Sequence, residues 1–251
     1  MRTLALVTGA SRGLGRNTAL AIARGGGDVV VTYRGSADEA TAVVADIEAL
    51  GRRAVALQLD TGEVDAFPAF VTRLRSTLRD TWQRETFDHL VNNAGHGDTA
   101  PIADTTVAQF DRLVDVHFKG VFFLTQALLP LISDGGRIVN ISTGLTRFAY
   151  PGYAAYAAAK AAVETLSVYM AKEFGAHGIA VNTVAPGAIE TDFGGGVVRD
   201  NADVNAQLAG ITALGRVGVA DDIGPMIAAL LGEANRWVNA QRIEVSGGQA
   251  I

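Results

Sequence analysis

Short apolar runs alternate with longer segments of helical period in the first third of the chain. Mostly apolar residues occupy 4–8, 28–33 and 54–59, and each run is followed by a segment in which apolar positions recur every three to four residues. Parallel strands joined by helices require right-handed crossovers. The alternation therefore predicts a parallel βαβαβ unit.

The same alternation continues to the end of the chain. The predicted strands are residues 4–8, 28–33, 54–59, 87–91, 136–141, 179–184 and 242–245. The predicted helices are residues 13–24, 37–50, 64–82, 107–131, 152–174 and 221–231. No repeat or linker divides the chain, so we expect a single α/β domain over residues 1–251, a doubly wound sheet of about seven parallel strands with helices on both faces.

The least regular stretch, about residues 190–215, follows the strand predicted at 179–184 and contains Gly194-Gly195-Gly196. Ligands bind at the carboxyl ends of the strands in an open α/β sheet. We expect this stretch to be a mobile lid over a substrate, and a flexible excursion without a role is the alternative.

Composition limits the classes of molecule that the protein is expected to bind. The net charge is −5, and the 21 basic residues are scattered along the chain, which argues against nucleic acid or an anionic membrane. The longest apolar stretch, residues 121–132, is interrupted by Thr125, Gln126 and Pro130, and the apolar segment near the amino terminus is too short for a signal peptide. We therefore expect a small-molecule partner and a cytoplasmic location.

No metal site is expected. The chain has no cysteine, which excludes disulfides and thiolate ligands. The four histidines have none of the close spacings of zinc motifs; they are His89, His96, His117 and His177.

A glycine-rich turn follows the first predicted strand. Gly9 suits a tight turn, Gly13 lets the backbone approach a pyrophosphate, and Gly15 permits close packing where the next helix begins. The positive end of that helix would face the phosphates. The pattern predicts a dinucleotide site, and tight-turn chemistry alone is the alternative.

Tyr156 and Lys160 lie four residues apart in a predicted helix and therefore on one face. A phenol with its usual pKa of about 10 exchanges protons poorly near neutrality, and a nearby ammonium lowers that pKa by stabilising the phenolate. Tyr153 is a weaker candidate because the residue four positions after it is Ala157. The pair predicts acid/base catalysis, and an exposed amphipathic pair is the alternative.

Four motifs occur in a fixed order: TGASRGLG at residues 8–15, Asn92-Asn93-Ala94-Gly95, Tyr156-x-x-x-Lys160 and Pro186-Gly187. Together they span almost the whole chain and resemble the signature of short-chain dehydrogenases/reductases, in particular the 3-oxoacyl-[acyl-carrier-protein] reductase branch. The resemblance implies a Rossmann fold and a nicotinamide cofactor. It also implies a homotetramer, with a dimer as the alternative, built through helices near 121–131 and 156–170 and through the chain end at 243–251.

The resemblance also implies cofactor contacts. Asp60 matches the acid that bonds the adenine amino group, and Lys160 a residue that bonds the nicotinamide ribose. Asn92 matches the residue that ties the central strand to the cofactor, and a purely structural turn is the alternative, because Asn and Gly both favour turns. Ile189 and Thr191 match positions that contact the carboxamide and the phosphates. The remaining residues implied at the cofactor are Gly9, Ser11, Gly13, Leu14, Gly15, Tyr33, Thr61, Ala94, Gly95, Tyr156, Pro186 and Gly187.

Charge at the end of the second strand favours NADP(H) over NAD. NAD sites place an acid there to bond the ribose 2′-hydroxyl, but this strand ends Thr32-Tyr33-Arg34. Arg12 and Arg34 can both clamp a 2′-phosphate, because guanidinium groups present paired donors. The alternative for Arg34 is an ordinary solvated charge.

Two catalytic positions depart from the family pattern. The family usually has a Ser thirteen residues before the Tyr, and Thr143 stands there; Ser142 is the reserve candidate, and local backbone bonding by both hydroxyls is the alternative. Where the family often has an Asn that supports a proton relay, this chain has His117. Imidazole can replace that Asn in the relay, or His117 is simply packed in the core.

These observations predict an NADPH-dependent oxidoreductase that reduces a ketone, 3-oxoacyl or another small carbonyl, to a secondary alcohol with Tyr156 as the acid. The alternatives are an NAD-linked secondary alcohol or sugar dehydrogenase and a non-catalytic NADP(H)-binding protein. Phe148, Tyr150 and Phe193 suggest an apolar or aromatic ketone.

Overall fold

The computed structural model describes residues 3–251 and places seven strands of that range in one sheet. Every pairing is parallel, in the order β3-β2-β1-β4-β5-β6-β7. The strands are β1 (Leu4–Val7), β2 (Asp28–Tyr33), β3 (Ala54–Gln58), β4 (Phe87–Asn92), β5 (Ile132–Ile141), β6 (Ala180–Pro186) and β7 (Arg242–Val245).

Helices cover both faces of the sheet because successive strand residues point to opposite sides. Ala5 and Val7 pack with α1, α2 and α9, whereas Leu4 and Leu6 pack with α3, α5 and α6. The helices are α1 (Gly13–Arg24), α2 (Ala37–Ala49), α3 (Phe67–Trp82), α4 (Val107–Val114), α5 (Gly120–Leu128), α6 (Ala154–Phe174), α7 (Val197–Asp200), α8 (Ala202–Gly210) and α9 (Gly224–Leu230). The predicted single-domain, doubly wound Rossmann fold is confirmed.

The helix predicted at 107–131 is wrong as one element. It divides into α4, a π-helical turn at Asp115–Lys119, and α5, and it closes with a 3₁₀ turn at Leu129–Leu131 that contains Pro130. The wider π turn carries His117 into the interior, where the residue is fully buried. A helical repeat in sequence does not reveal such a turn.

Other differences are at element ends. β5 begins at Ile132, not at 136, and a register shift against β4 accommodates its first residues. β6 continues two residues beyond its predicted end to Pro186, which pairs with Val245 of β7. α6 begins at Ala154 because Gly152 has φ +90°, outside helical backbone.

The strand order places a crevice at the carboxyl edge. β1 lies between β2 and β4, so the chain after β1 turns toward one side and the chain after β4 toward the other. The Thr8 hydroxyl holds the two strand ends together by accepting from the backbone N–H groups of Asn93 and Ala94, both at 2.9 Å. Among residues 3–251, no helix has both the length and the apolar character needed to cross a membrane.

Candidate active site

A cleft of about 700 Å³ runs along the carboxyl edge of the sheet. Its walls come from the loops that follow β1 through β6 and from the segment 190–215. One end lies over the glycine-rich turn and the other over the first turns of α6. The cleft thus connects the two motifs that the sequence singled out.

The glycine-rich turn fits tightly against the loop after β4. Gly9 has φ +61°, and a Cβ atom there would lie 2.8 Å from the Cα atom of Ala94. A Cβ atom at Gly15 would lie 2.4 Å from Nδ2 of Asn93 and 2.4 Å from the carbonyl oxygen of Gly9. Because only glycine fits at these positions, the start of α1 can lie open to the cleft as a phosphate cradle.

Arg12 and Arg34 lie at the same end of the cleft, and both side chains are exposed. Within the described part of the chain, neither guanidinium forms an ion pair, and Arg34 follows β2 where an acid would select NAD. Asp60 lines the cleft beyond β3 and accepts from the backbone N–H of Gly62 at 2.9 Å. The two guanidinium groups are donors that fit the 2′-phosphate of a dinucleotide.

Most residues predicted at the cofactor line the cleft. They are Gly9, Ser11, Arg12, Gly13, Leu14, Gly15, Arg34, Asp60, Thr61, Ala94, Gly95, Tyr156, Lys160, Pro186, Gly187, Ile189 and Thr191. Tyr33 does not line it, because its ring packs against the core between the sheet and the helices.

Asn92 requires a correction. Its side chain is buried and Nδ2 donates to Oγ1 of Thr125 at 3.0 Å and to Oδ1 of Asn140 at 2.8 Å. Asn92 therefore ties β4 to α5 and β5, and its side chain does not reach the cleft. Asn93 takes the adjoining position, where Nδ2 donates to the carbonyl oxygens of Thr8 at 2.8 Å and Gly9 at 3.1 Å. In the sequence, only the pair of adjacent Asn residues in the motif indicated that one Asn is buried in the sheet and the other contacts the glycine-rich turn.

Gln249 is a cleft residue that the sequence interpretation missed. Its Oε1 accepts from the backbone N–H of Ala188 at 2.8 Å, next to Gly187. It is about sixty positions away in the chain, and no local pattern marks it.

The structure brings Tyr156, Lys160 and Thr143 together at the other end of the cleft. The Tyr156 and Lys160 side chains are buried on the first two turns of α6. The Thr143 side chain lies close enough to the Tyr156 phenol to affect its pKa. Lys160 Nζ donates to the carbonyl oxygen of Ile141 at 2.7 Å and lies 5.9 Å from the centre of the Tyr156 ring.

Of the two neighbouring hydroxyls, Thr143 is the one beside Tyr156. Ser142 donates to Oε1 of Glu164 at 2.6 Å, so its hydroxyl faces a carboxylate on α6. Thr143 Oγ1 also accepts from the backbone N–H of Leu145 at 3.3 Å. The geometry therefore separates two candidates that the sequence left open.

Burial shifts the pKa values of both acid/base groups, Tyr156 and Lys160. It raises the pKa of Tyr156 well above its ordinary value, and the weaker opposing effect comes from the hydrogen bond with Thr143. Burial therefore outweighs the expected lowering of the phenol pKa by Lys160. Burial also lowers the pKa of Lys160 to about 8. At neutral pH, Tyr156 is a protonated donor.

His117 lies against this group. Its ring centre is 5.0 Å from that of Tyr156, with the rings perpendicular. Its Nε2 is 2.8 Å from the carbonyl oxygen of His96 and 3.4 Å from the backbone nitrogen of the same residue; the shorter contact, to an oxygen that can only accept, places the proton on Nε2. Nδ1 is then a bare acceptor, buried and without a hydrogen-bond partner among the described residues. Burial, assisted by Lys160, lowers the pKa of His117 well below its ordinary value, which keeps the ring neutral.

Gly95 makes room for this imidazole. A Cβ atom at Gly95 would lie 2.6 Å from Cε1 of His117. The π turn thus brings the His117 ring into the interior, and the glycine of the Asn-Asn-Ala-Gly motif leaves the space that the ring occupies. Across residues 3–251, no three His, Cys, Asp or Glu side chains gather as metal ligands.

The segment 190–215 covers the catalytic end. Phe193 begins a 3₁₀ turn, Phe193–Gly196, and its ring centre is 5.6 Å from that of Tyr156. Gly194, Gly195 and Gly196 follow it with φ of +61°, +76° and +78°. A Cβ atom at Gly97 would lie 3.0 Å from Cα of Gly194, so the segment rests on the loop after β4.

A glycine cradle at the switch point of a doubly wound sheet, with Tyr and Lys one turn apart beside a hydroxyl, defines the class of short-chain dehydrogenases/reductases. The family model described as enoyl-(acyl carrier protein) reductase matches residues 9–250, and the chain belongs to this family of short-chain dehydrogenases/reductases. The resemblance proposed from the four motifs is confirmed.

Known relatives match over nearly the full length. The 3-oxoacyl-[acyl-carrier-protein] reductase FabG of Staphylococcus epidermidis is 36% identical over 250 residues, which cover 99% of each chain. The reductase LugOII, which catalyses keto-reduction at C1 during lugdunomycin biosynthesis, is 39% identical, with a TM-score of 0.93 over 98% of this chain and 96% of that one. The angucycline C-6 ketoreductase LanV with bound NADP is 34% identical, with a TM-score of 0.93 over 99% and 95%.

Proposed function

We propose that this protein is an NADPH-dependent ketoreductase that converts a ketone to a secondary alcohol. The observation that carries the proposal is the buried Tyr156 with Thr143 and Lys160 at one end of a cleft whose other end is a glycine and arginine cradle. FabG, LugOII and LanV, to which the chain is similar, are named as reductases of keto groups.

Thr143 and Tyr156 would hold the carbonyl oxygen of the substrate by hydrogen bonds. NADPH, when bound, supplies the hydride for the carbonyl carbon. Tyr156 donates its proton to the oxygen, which becomes the alcohol hydroxyl. The raised pKa of Tyr156 keeps this proton on the phenol until negative charge develops on the substrate oxygen.

Lys160 stabilises the phenolate that remains. Its ammonium is fixed by the carbonyl of Ile141 and is buried with Tyr156, where charge interactions are stronger than in water. The benefit appears only after the proton has left, which is a transition-state effect.

His117 would return a proton to Tyr156. The bare Nδ1 would take up the proton, and its ring lies beside the phenol; the lowered pKa of His117 means that the ring would hold this proton only transiently before passing it on. The family Asn in this position is an amide without acid/base function, so the histidine would perform the relay by a different chemistry.

The Arg12 and Arg34 guanidinium groups would bind the 2′-phosphate. Both are exposed at the cofactor end of the cleft, and no acid follows β2. An NAD-linked alcohol or sugar dehydrogenase is the competing proposal, and the missing acid counts against it.

The test is reductase turnover with NADPH and with NADH, using a ketone panel and an enoyl thioester, since the matched family model is named for enoyl reduction. Ketone reduction that prefers NADPH is expected. Turnover of the enoyl thioester alone would contradict carbonyl reduction. NADPH binding without turnover of any substrate would favour the non-catalytic alternative.

Tyr156→Phe separates chemistry from binding. Loss of the general acid should lower kcat by roughly 10²- to 10⁴-fold. NADPH affinity, measured by fluorescence titration, should change little because the ring is retained. Near wild-type turnover in this variant would contradict the mechanism.

A homotetramer remains our proposal for the assembly, with a dimer as the alternative. Apolar side chains on α5, α6 and the chain end support it. The rings of Phe122 and Phe123 meet edge to face with their centres 5.1 Å apart, and Tyr169 and Ile251 are 64% and 90% exposed. Light scattering after size exclusion tests it, and a monomer would contradict it. The cytoplasmic location stays a prediction.

A further inference from the structure

We propose that the substrate is a flat, uncharged aromatic ketone that arrives as a free molecule, and not a thioester carried on an anionic arm. This inference rests on the proposed ketone reduction and specifies its substrate. Two observations support it. Aromatic side chains form two walls of the cleft beside the catalytic hydroxyls, and the arginines near the substrate end are paired with carboxylates.

Phe148 forms the first wall. Its Cε1 lies 3.0 Å from where a Cβ atom of Gly144 would be, so the ring lies over the residue that follows Thr143. The guanidinium of Arg147 is 5.3 Å from the ring centre. Glu244 fixes this guanidinium with hydrogen bonds of 2.7 and 2.8 Å. The Phe148 ring is therefore a rigid aromatic surface next to the carbonyl-binding hydroxyl.

Phe193 forms the second wall. Its ring faces Tyr156 at 5.6 Å and is 40% exposed, because it lines the open cleft. Its edge packs on Gly97, whose Cβ would lie 3.1 Å from Cε1. The apolar lining continues through α7 and α8 with Val197 and Leu208. A flat aromatic ligand between such surfaces would bury apolar area and stack in offset or edge-to-face geometry.

Apart from the buried Lys160, the described residues place no unpaired lysine or arginine at the substrate end of the cleft for an anionic arm. Among the described residues that line the cleft, the exposed arginines are Arg12 and Arg34, both at the cofactor end. Near the substrate end, Arg147 is paired with Glu244, and Arg199 is paired with Asp192 and Asp200. A phosphopantetheine or coenzyme A arm carries phosphate groups that would remain unpaired here.

The test compares kcat/KM for 2-tetralone, acetoacetyl-coenzyme A and the uncharged acetoacetyl-N-acetylcysteamine, with NADPH saturating. We expect 2-tetralone to exceed both thioesters by about tenfold or more, a difference equal to about 1.4 kcal/mol. Phe148→Leu and Phe193→Leu should each lower kcat/KM for 2-tetralone about fivefold, mainly through KM, because the stacking contact is lost. The same variants should change turnover of acetoacetyl-N-acetylcysteamine by less than about twofold, since that substrate has no ring to stack.

Trp237→Leu is the matched control, because this aromatic side chain is 96% exposed and lies outside the cleft. It should leave all three substrates unchanged. Acetoacetyl-coenzyme A turnover equal to or above that of 2-tetralone would overturn the inference and leave ketone reduction intact. Equal losses for all substrates in the Phe variants would indicate a packing role and would also overturn it. No turnover with any of the three would instead defeat the proposed function itself.

Discussion

Replacing Lys160 by Met should remove a pH-dependent destabilisation of the fold and abolish turnover. Burial lowers the pKa of Lys160 to about 8, against 10.5 for an unburied lysine. The unfolded chain therefore binds this proton more tightly than the folded protein does. At pH 7, where both states are protonated, the difference destabilises the folded protein by about 3 kcal/mol.

The effect of Lys160 on the stability of the fold depends on pH in a definite direction. As pH rises through about 8, the folded protein releases the proton, and the destabilisation declines until the unfolded chain also releases it near 10.5. At pH 10 the remaining effect is below about 1 kcal/mol. The stability of the Met variant relative to wild type should therefore fall by about 2 kcal/mol between pH 7 and pH 10.

Reversible urea denaturation at fixed protein concentration measures this difference. The Met variant also loses the hydrogen bond to the Ile141 carbonyl. Neutral and charged lysine can both donate this bond, so its loss changes the free energy of unfolding by a similar amount at pH 7 and at pH 10. Lys172→Met, on the exposed side of the same helix, is the matched control and should show a much smaller pH-dependent change. Parallel pH curves for wild type and Lys160→Met would refute the reasoning.

Three further predictions concern the cofactor cradle and the relay. Arg12→Ala combined with Arg34→Ala should raise KM for NADPH by roughly tenfold to a hundredfold with KM for NADH nearly unchanged, since charge-assisted bonds to the phosphate are lost; equal losses for both cofactors would contradict the 2′-phosphate role. His117→Asn should retain turnover but change the pH profile of kcat, whereas a lower melting temperature with the profile unchanged would indicate packing alone. Gly15→Ala should destabilise the protein by about 1 to 3 kcal/mol and weaken NADPH binding, because the new Cβ would overlap Asn93; Gly175→Ala, which meets open space, is its control, and a calorimetric melting curve that matches the control would contradict the steric argument.

The sequence predicted the fold well because the signal was repeated. Seven apolar runs and the helical segments between them agree with one parallel topology, and the rules for crossovers allow few others. Errors lay at element ends and at the π turn of 115–119, where one extra residue in a turn leaves almost no trace in a hydrophobic pattern.

The local motifs also located most of the cleft. Glycines at 9, 13 and 15 specify a backbone conformation and close approach that other residues cannot adopt, so their role can be inferred from residue type and spacing. The spacing of Tyr156 and Lys160 places both on one face of a helix. These inferences need only neighbours within a few residues along the chain.

Only the tertiary structure decided which of two adjacent side chains faces the cleft and how burial changes its chemistry. The direction in which a strand end turns against its neighbours decides which side chain faces the cleft. It selects Thr143 over Ser142 after one strand and Asn93 over Asn92 after another. The raised pKa of Tyr156, the lowered pKa of Lys160 and the bare Nδ1 of His117 arise from residues that are distant in sequence and pack around them. Backbone conformation is a local property, but desolvation is set by everything that surrounds a group, and a linear sequence does not state what that is.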